Sequence, residues 1–170
     1  MADPEFTAPD STAEPFIPKD VALKKALVVT DFSPDASAAI DYALKLAKLA
    51  GIQIALLHIV EVPTYHVHPE VVAASKRVDE TLEAMRQRAA ERLEAVAEVV
   101  RNEGINCMAS VRLGIPTEEI LTEAEMTKPD LIFIGNKGTS ALARFLLGST
   151  AERVVRYARC SVLVVRAKAE

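Results

Sequence analysis

The chain has 170 residues, of which 50% are hydrophobic and 26% are charged, and its formal net charge is -4. This size and composition are typical of one globular domain that folds without disulfide or metal staples. The small acidic excess gives no general attraction to nucleic acid or anionic lipid, so neither is expected as a partner. Membrane insertion is not expected either, because no apolar run approaches the about 20 residues of a spanning helix.

The first 22 residues differ in composition from the rest of the chain. They are rich in Pro, Asp, Glu, Ser and Thr, which predicts a disordered or draped tail, and Asp3 to Phe6 resembles a cloning-site remnant. They have neither the basic start nor the apolar core of a signal peptide. We therefore expect a folded domain over residues 23–170. Its two cysteines favour a reduced state and a cytoplasmic location.

The first half of the domain reads as strand, helix, strand, helix. Residues 26–30 form a β-branched run, and Ser33 and Pro34 then suit the N-cap and first position of a helix that Gly51 closes. Residues 52–60 are the second predicted strand. A long helix over about residues 72–102 follows, with an apolar stripe at helical period.

The second half continues the alternation. A more polar third strand over residues 105–113 predicts a sheet edge, and a helix from Pro116 leads to a fourth strand over residues 131–134. A helix over about residues 149–157 and a fifth strand over residues 161–166 complete the chain. Such alternation predicts a single-domain, Rossmann-like α/β fold with an open five-stranded parallel sheet of order 3-2-1-4-5 and helices on both faces.

Ligands of such sheets bind beyond the carboxyl ends of the strands, where the strand order reverses. In the predicted order that point lies between strands 1 and 4. Strand 1 ends at Thr30 and Asp31, and strand 4 ends at Gly135. Asp31 is either a ligand of a ribose or metal, or a cap of the first helix.

A glycine-punctuated segment follows strand 4. Gly135-Asn136-Lys137-Gly138 precedes nine residues and then Gly148-Ser149-Thr150, which opens the last helix. Glycines allow close backbone approach, and a helix N-terminus with a nearby lysine suits a phosphate. The alternative is structural, because residues 149–152 also match a capping box and Gly135 can be a simple turn.

Competing motifs are absent from the sequence. It contains no P-loop signature, no G-x-G-x-x-G, no G-x-S-x-G and no C-x-x-C, so the corresponding phosphate, dinucleotide, hydrolase and redox sites are not supported. His58 reads as a core histidine. His66 and His68 read as loop surface rather than as a metal pair.

The order and content of these segments resemble the universal stress protein family. The resemblance rests on residues 26–31, 56–60 and 158–165 together with Gly135-x2-Gly138-x9-Gly148-Ser149, and it covers roughly residues 23–166. The glycine pattern is similar to that of the ATP-binding subclass. The resemblance implies an adenine nucleotide alpha hydrolase-like fold that is usually dimeric and acts under stress.

The resemblance also implies which residues contact the nucleotide. In the family the end of the first strand meets adenine and ribose, a second-strand residue lies against adenine, and the glycine segment cradles ribose and phosphates. Carried onto this sequence, these are Val29, Thr30, Asp31, Ile59, Ile134, Gly135, Lys137, Gly138, Gly148, Ser149 and Thr150. Three residues depart from those that are common in the family. Phe32 stands where Gly is frequent, Lys137 stands where His or Arg is frequent, and Ser161 stands where Pro is frequent.

Three functions remain open from the sequence. The first is a regulatory module that binds ATP, or AMP or another adenine nucleotide, with Mg²⁺ on the phosphates. The second is a slow ATPase or self-phosphorylating enzyme, for which only Lys137 and Asp31 offer themselves, so no catalytic or metal-binding residue is assigned. The third is an interaction protein without nucleotide turnover. For each of them we expect a homodimer through the C-terminal strand, because an apolar edge strand invites pairing.

Overall fold

The structure is a computed structural model that describes residues 23–62, 75–137 and 147–168, with side chains in the second helix from residue 80 onward. Residues 1–22, Gly138 and the pair His66 and His68 therefore lie outside the described residues. The described elements follow in the order β1 Lys25–Val29, α1 Pro34–Ala50, β2 Gln53–Glu61, α2 Ser75–Asn102, β3 Cys107–Gly114, α3 Pro116–Thr127, β4 Leu131–Gly135, α4 Ser149–Tyr157 and β5 Ser161–Val165.

The five strands form one sheet of order β3-β2-β1-β4-β5, and every neighbouring pair is parallel. This confirms the predicted fold class and strand order. Strand β1 lies at the centre, where Leu27 is in register with Ala55 of β2 and with Ile132 of β4. The connections run outward in opposite directions from β1 and β4, so the carboxyl ends of these two strands flank the switch point.

Alternate residues of the central strands supply two separate cores. Val28 and Phe133 face a cluster that includes Leu93 of α2 and three buried alanines of α1, whereas Leu27 and Ile132 face a cluster with Val154 of α4. Side chains of a strand point alternately to its two faces, and here both faces are covered by helices. Helices α1 and α2 therefore share one face of the sheet, and α3 and α4 share the other.

The two outer strands are less buried than the central ones. The edge strand β3 has one buried residue, Cys107, and its other residues are half-buried or exposed, as expected of the sheet edge that its polar sequence predicts; Met108 is 62% exposed. At the opposite edge, Leu163 of β5 is 38% exposed. Within the described ranges, none of the helices combines the length and apolarity that crossing a bilayer would require.

Asp130 joins the amino ends of β1 and β4. Its Oδ2 atom accepts hydrogen bonds from the backbone N–H groups of Lys24 at 2.7 Å and Lys25 at 2.9 Å, and its own N–H donates to the Lys25 carbonyl at 2.9 Å. These backbone hydrogen bonds favour the ionised form and lower the pKa of the Asp130 carboxyl. The carboxylate thus holds the start of the central strand.

The loop between β1 and α1 contains one residue, Phe32, in an unusual backbone conformation. Phe32 has φ 62°, a left-handed backbone that favours glycine. Its ring lies 4.6 Å from the His58 ring, centroid to centroid, and the Arg92 guanidinium lies 4.0 Å from the Phe32 centroid. The Phe32 N–H also donates to Thr30 Oγ1 at 3.0 Å. This stack across β2 and α2 stabilises a turn that its backbone alone disfavours.

We expect Asp130→Asn to destabilise the protein in a pH-dependent way. Because the folded pKa lies below the unfolded value of about 3.9, the carboxylate contributes stability above that value and loses it as pH falls through the folded pKa. The free energy of unfolding, measured with urea at several pH values, should differ most between variant and wild type near neutrality. A difference that stays constant into the acid range would contradict this role.

We expect Phe32→Ala to be less stable than Phe32→Gly by about 1 kcal/mol, because both lose the stack but only alanine keeps the left-handed strain. Denaturant unfolding of the two variants measures this difference. Ser37, exposed on α1, provides the control, since there alanine should be more stable than glycine. Equal stability of the two Phe32 variants would show that the backbone at this position is not strained.

Candidate functional site

The site lies at the carboxyl edge of the sheet, between β1 and β4. These strands pair directly, with Val28 opposite Phe133, so the segments that follow them begin side by side. The structure brings three sequence-predicted groups to this edge: the end of β1, the Gly135–Lys137 segment and the start of α4. Gly138 lies outside the described residues.

The apolar part of the site is formed by three predicted residues. Val29 and Ile134 are buried in one cluster, and Ile59 packs against it half-buried. Ala151, in the first turn of α4, belongs to the same cluster. The start of α4 and these apolar residues therefore lie on the same face of the sheet, where a flat apolar group can meet a helix N-terminus.

Thr30 is almost fully hydrogen-bonded within the protein. It is 2% exposed; its N–H donates to the Leu57 carbonyl at 2.9 Å, and its hydroxyl accepts from Phe32 N–H. Its carbonyl lies 2.8 Å from His58 Nδ1, which must carry the hydrogen because a carbonyl only accepts. Thr30 thus shapes the turn, and His58 supports it from β2.

Asp31 and Ser33 divide the roles that the sequence left open. Asp31 Oδ1 accepts from Ser33 N–H at 3.0 Å, which closes a small turn. Ser33 is the N-cap of α1, and its hydroxyl accepts from Ala36 N–H at 3.3 Å. The cap of the first helix is therefore Ser33, while the half-buried Asp31 carboxylate lies in the turn at the mouth of the site.

Gly135 ends β4 where the first turn of α1 packs against it. A Cβ atom at position 135 would lie 2.8 Å from the Ala36 backbone nitrogen and 3.1 Å from the Asp35 Cβ. Any side chain here would push the helix away from the sheet. The glycine is thus required by an intramolecular contact, which brings α1 against the start of the glycine segment.

Asn136 is a polar residue that the sequence pattern treated only as a spacer. Its N–H donates to the Val165 carbonyl at 2.6 Å, and its carbonyl accepts from Gly148 N–H at 2.9 Å. The residue is 5% exposed, and its side-chain Nδ2 has no hydrogen-bond acceptor within the described part of the chain. A buried amide without an acceptor costs about 1–3 kcal/mol, which an acceptor on a ligand would offset.

Lys137 is held to α1 by both of its backbone polar groups. Its N–H donates to Asp35 Oδ2 at 3.1 Å, and its carbonyl accepts from the Ser33 hydroxyl at 3.3 Å. A contact from Lys137 to a ligand would therefore use its side-chain ammonium rather than its backbone N–H.

Helix α4 begins with a glycine N-cap and not with the capping box that was the structural alternative for residues 149–152. Gly148 is the N-cap, and a Cβ there would lie 2.9 Å from the Asn136 carbonyl oxygen. The carboxylate of Glu152 accepts from Arg156 at 3.1 Å rather than reaching back to the cap. Ser149 and Thr150 are the first two helical residues, and first-turn N–H groups have no acceptor within a helix. This end of α4 is therefore suited to an anion.

Comparison with known proteins agrees with this geometry. Residues 22–166 match the Universal stress protein family. Universal stress protein MJ0531 of Methanocaldococcus jannaschii is 32% identical over 143 residues, which cover 84% of this chain and 82% of that protein. The solved structure of MJ0577, from the same organism, superposes with a TM-score of 0.77 at 29% identity, over 88% of this chain and 100% of that one.

Further solved structures share the fold. UspA from Lactobacillus plantarum has a TM-score of 0.76 and 28% identity, over 86% of this chain and 100% of that chain. More distant structures at 23% and 20% identity are a universal stress protein in complex with cAMP and one from Archaeoglobus fulgidus in complex with dAMP. The match along almost the whole described sheet, in sequence and in strand order, means that this chain belongs to the universal stress protein family.

Proposed function

We propose that this chain is a nucleotide-dependent regulatory module of the stress response that binds ATP at the carboxyl edge of its sheet. The observation that carries the proposal is the hydrogen bond from Gly148 N–H to the Asn136 carbonyl. It sets the N-terminus of α4 beside the buried Asn136 amide that lacks an acceptor among the described residues. Both features offer N–H donors to an anion, and an absent Cβ at position 148 makes their approach possible.

The two ends of the nucleotide are assigned to different parts of the site. Val29 and Ile59, together with Ile134, offer an apolar surface for adenine. We assign the ribose to the turn at Thr30 and Asp31 and to Gly135, and the phosphates to a set that comprises Lys137, Gly138, Gly148, Ser149 and Thr150. Asn136 joins the phosphate set as an additional donor.

The adenine part of the proposal is supported by the relatives. Two solved members of the fold hold cAMP and dAMP, which are both adenine nucleotides. The preference for ATP rests on the complete glycine pattern between Gly135 and Ser149. AMP or another adenine nucleotide would use the same adenine surface with fewer phosphate contacts.

Attraction of the phosphates must be local. The chain has a net charge of -4, which weakly repels an anion, so α4, the Asn136 amide and the Lys137 ammonium would supply the attraction. Within residues 23–62, 75–137 and 147–168, no three His, Cys, Asp or Glu side chains cluster as metal ligands. We therefore propose that Mg²⁺ accompanies the phosphates and completes its coordination with water.

We further propose that residues 23–170 form the functional domain, preceded by a tail over residues 1–22, and that the protein is a cytoplasmic homodimer. The dimer proposal is supported by β5, which is an edge strand with Leu163 exposed. Val155 and Tyr157 of α4 add exposed apolar surface beside it, being 48% and 61% exposed. A second copy that pairs along β5 would cover this surface.

The full chain should bind ATP and release phosphate slowly or not at all. We expect isothermal titration with ATP and Mg²⁺ to give saturable binding, and a parallel assay to detect less than about one phosphate released per protein per minute, because the site has no assigned group that orients water. Absence of binding at millimolar ATP would contradict the proposal. Many turnovers per minute would favour the slow-enzyme alternative over a regulatory module.

Gly148→Ala should weaken ATP binding about tenfold or more, equivalent to about 1.4 kcal/mol. The added Cβ meets the Asn136 carbonyl oxygen at 2.9 Å and must separate α4 from that residue. The matched control is Gly51→Ala at the far end of α1, where φ is 68° and no atom lies within 4 Å of the added Cβ. It should lower the free energy of unfolding by about 1 kcal/mol without changing ATP affinity. Equal affinities for both variants would show that the phosphate assignment is misplaced.

A further inference from the structure

The carboxylate of Asp35 connects three segments that are distant in the sequence. Asp35 is the second residue of α1 and is half-buried. Its Oδ2 atom accepts from the N–H of Lys137, in the glycine segment, at 3.1 Å. Its Oδ1 atom accepts from the N–H of Ala167, just beyond β5, at 2.9 Å. One side chain therefore fixes both the start of the glycine segment and the exit from the edge strand.

A general helix-dipole role does not account for this arrangement. An acidic residue in the first turn of a helix is favourable wherever its carboxylate points. Here each oxygen accepts a backbone N–H from a different segment, and neither of those N–H groups belongs to α1. Charge-assisted hydrogen bonds of this kind are about twice as strong as neutral ones and are directional.

The same two segments also meet without Asp35. Asn136 N–H donates to the Val165 carbonyl at 2.6 Å, and Gly135 is in register with Val165. A displacement of the chain after β5 would therefore move Asn136 through its hydrogen bond to Val165, and would move Lys137 through the Asp35 carboxylate. Both routes end on the residues that precede Gly138 in the glycine motif.

We propose that Asp35 is a positioning residue of the nucleotide site and couples that site to the end of strand β5. The proposal rests on the proposed function, since it concerns the same glycine segment. Nucleotide binding to the glycine segment then stabilises the ordered conformation at the end of β5, and that conformation in turn favours nucleotide binding. The effect is reciprocal because a coupling free energy between two sites acts equally in both directions. A partner that pairs with β5 would sense occupancy of the site by this connection.

The test uses the full chain with Asp35→Asn, which keeps the shape of the side chain. An amide has one acceptor oxygen, so one of the two N–H groups must face an NH₂ group. The control is Asp41→Asn, an exposed position on the same helix. Asp35→Ala serves as a second variant that removes both acceptors. Amide hydrogen exchange resolved by residue and ATP titration are the measurements.

Without nucleotide, Asp35→Asn and Asp35→Ala should speed exchange of the Lys137 and Ala167 amides about tenfold or more, while the Val28 amide in the central strand is unchanged. The Asp41→Asn control should leave all of these amides as in the wild type. Unchanged exchange at either Lys137 or Ala167 would overturn the proposal. This arm needs no ligand, so it decides whether Asp35 links the Lys137 and Ala167 segments whatever the outcome of the ATP titration. A wild type that fails to bind ATP would contradict the proposed function and the nucleotide coupling that rests on it, and would leave this link between the two segments standing.

Amide exchange measured with ATP present distinguishes a merely structural role of Asp35 from coupling between the nucleotide site and β5. In the wild type, ATP should slow exchange both in the first turn of α4, at Ala151, and at Ala167. In Asp35→Asn, ATP should bind about tenfold more weakly and, at saturation, should protect Ala151 but no longer Ala167. Protection of Ala167 that persists in the variant would overturn the coupling, as would an ATP affinity equal to that of the wild type.

Discussion

The close contact between the first turn of α1 and the end of β4 is the constraint on which the rest of the site depends. It exists because position 135 has no Cβ, so the Ala36 backbone nitrogen can approach. Once the helix is there, Ser33 and Asp35 hold the carbonyl and the N–H of Lys137. Without that contact, no residue of α1 would fix the direction in which the glycine segment leaves β4.

A second contact of the same kind organises the other end of the glycine motif. The Asn136 carbonyl accepts the Gly148 N–H, at a distance that leaves no room for a side chain at position 148. The N-terminus of α4 is thereby brought back to the end of β4. Its partial positive charge and the Asn136 amide then lie together in a chain whose overall charge is negative. The local arrangement, rather than the composition, makes this edge suitable for an anion.

The fold was predictable from the sequence because it depends on local periodicity. The buried runs at residues 26–30 and 131–134 alternate with helical stripes, and right-handed parallel crossovers leave few arrangements for them. The glycines of the site were also recognisable in the sequence, but the sequence explained only part of why glycine is needed at these positions. A pattern of glycines predicts close backbone approach without saying what approaches, and at positions 135 and 148 the approaching atoms belong to the protein itself.

Other parts of the site depend on contacts between distant residues. Asp35 looks in the sequence like an ordinary first-turn acid, and its two acceptors matter only once β4 and β5 are in place. Phe32 looks like a departure from a family glycine, and the φ of 62° shows why glycine suits the position. The stack with His58 and Arg92 that offsets the strain joins three separate elements, so no local pattern could have indicated it.

The turn that Asp31 closes onto Ser33 has a consequence for how the chain can vary in length. Ser33 must cap α1 and also reach the Lys137 carbonyl, while Asp35, two residues later, must reach both Lys137 and Ala167. One inserted residue between Val29 and Ser33 would rotate or displace the first helical turn and break these contacts together. Insertions and deletions among relatives should therefore be rare in this connection.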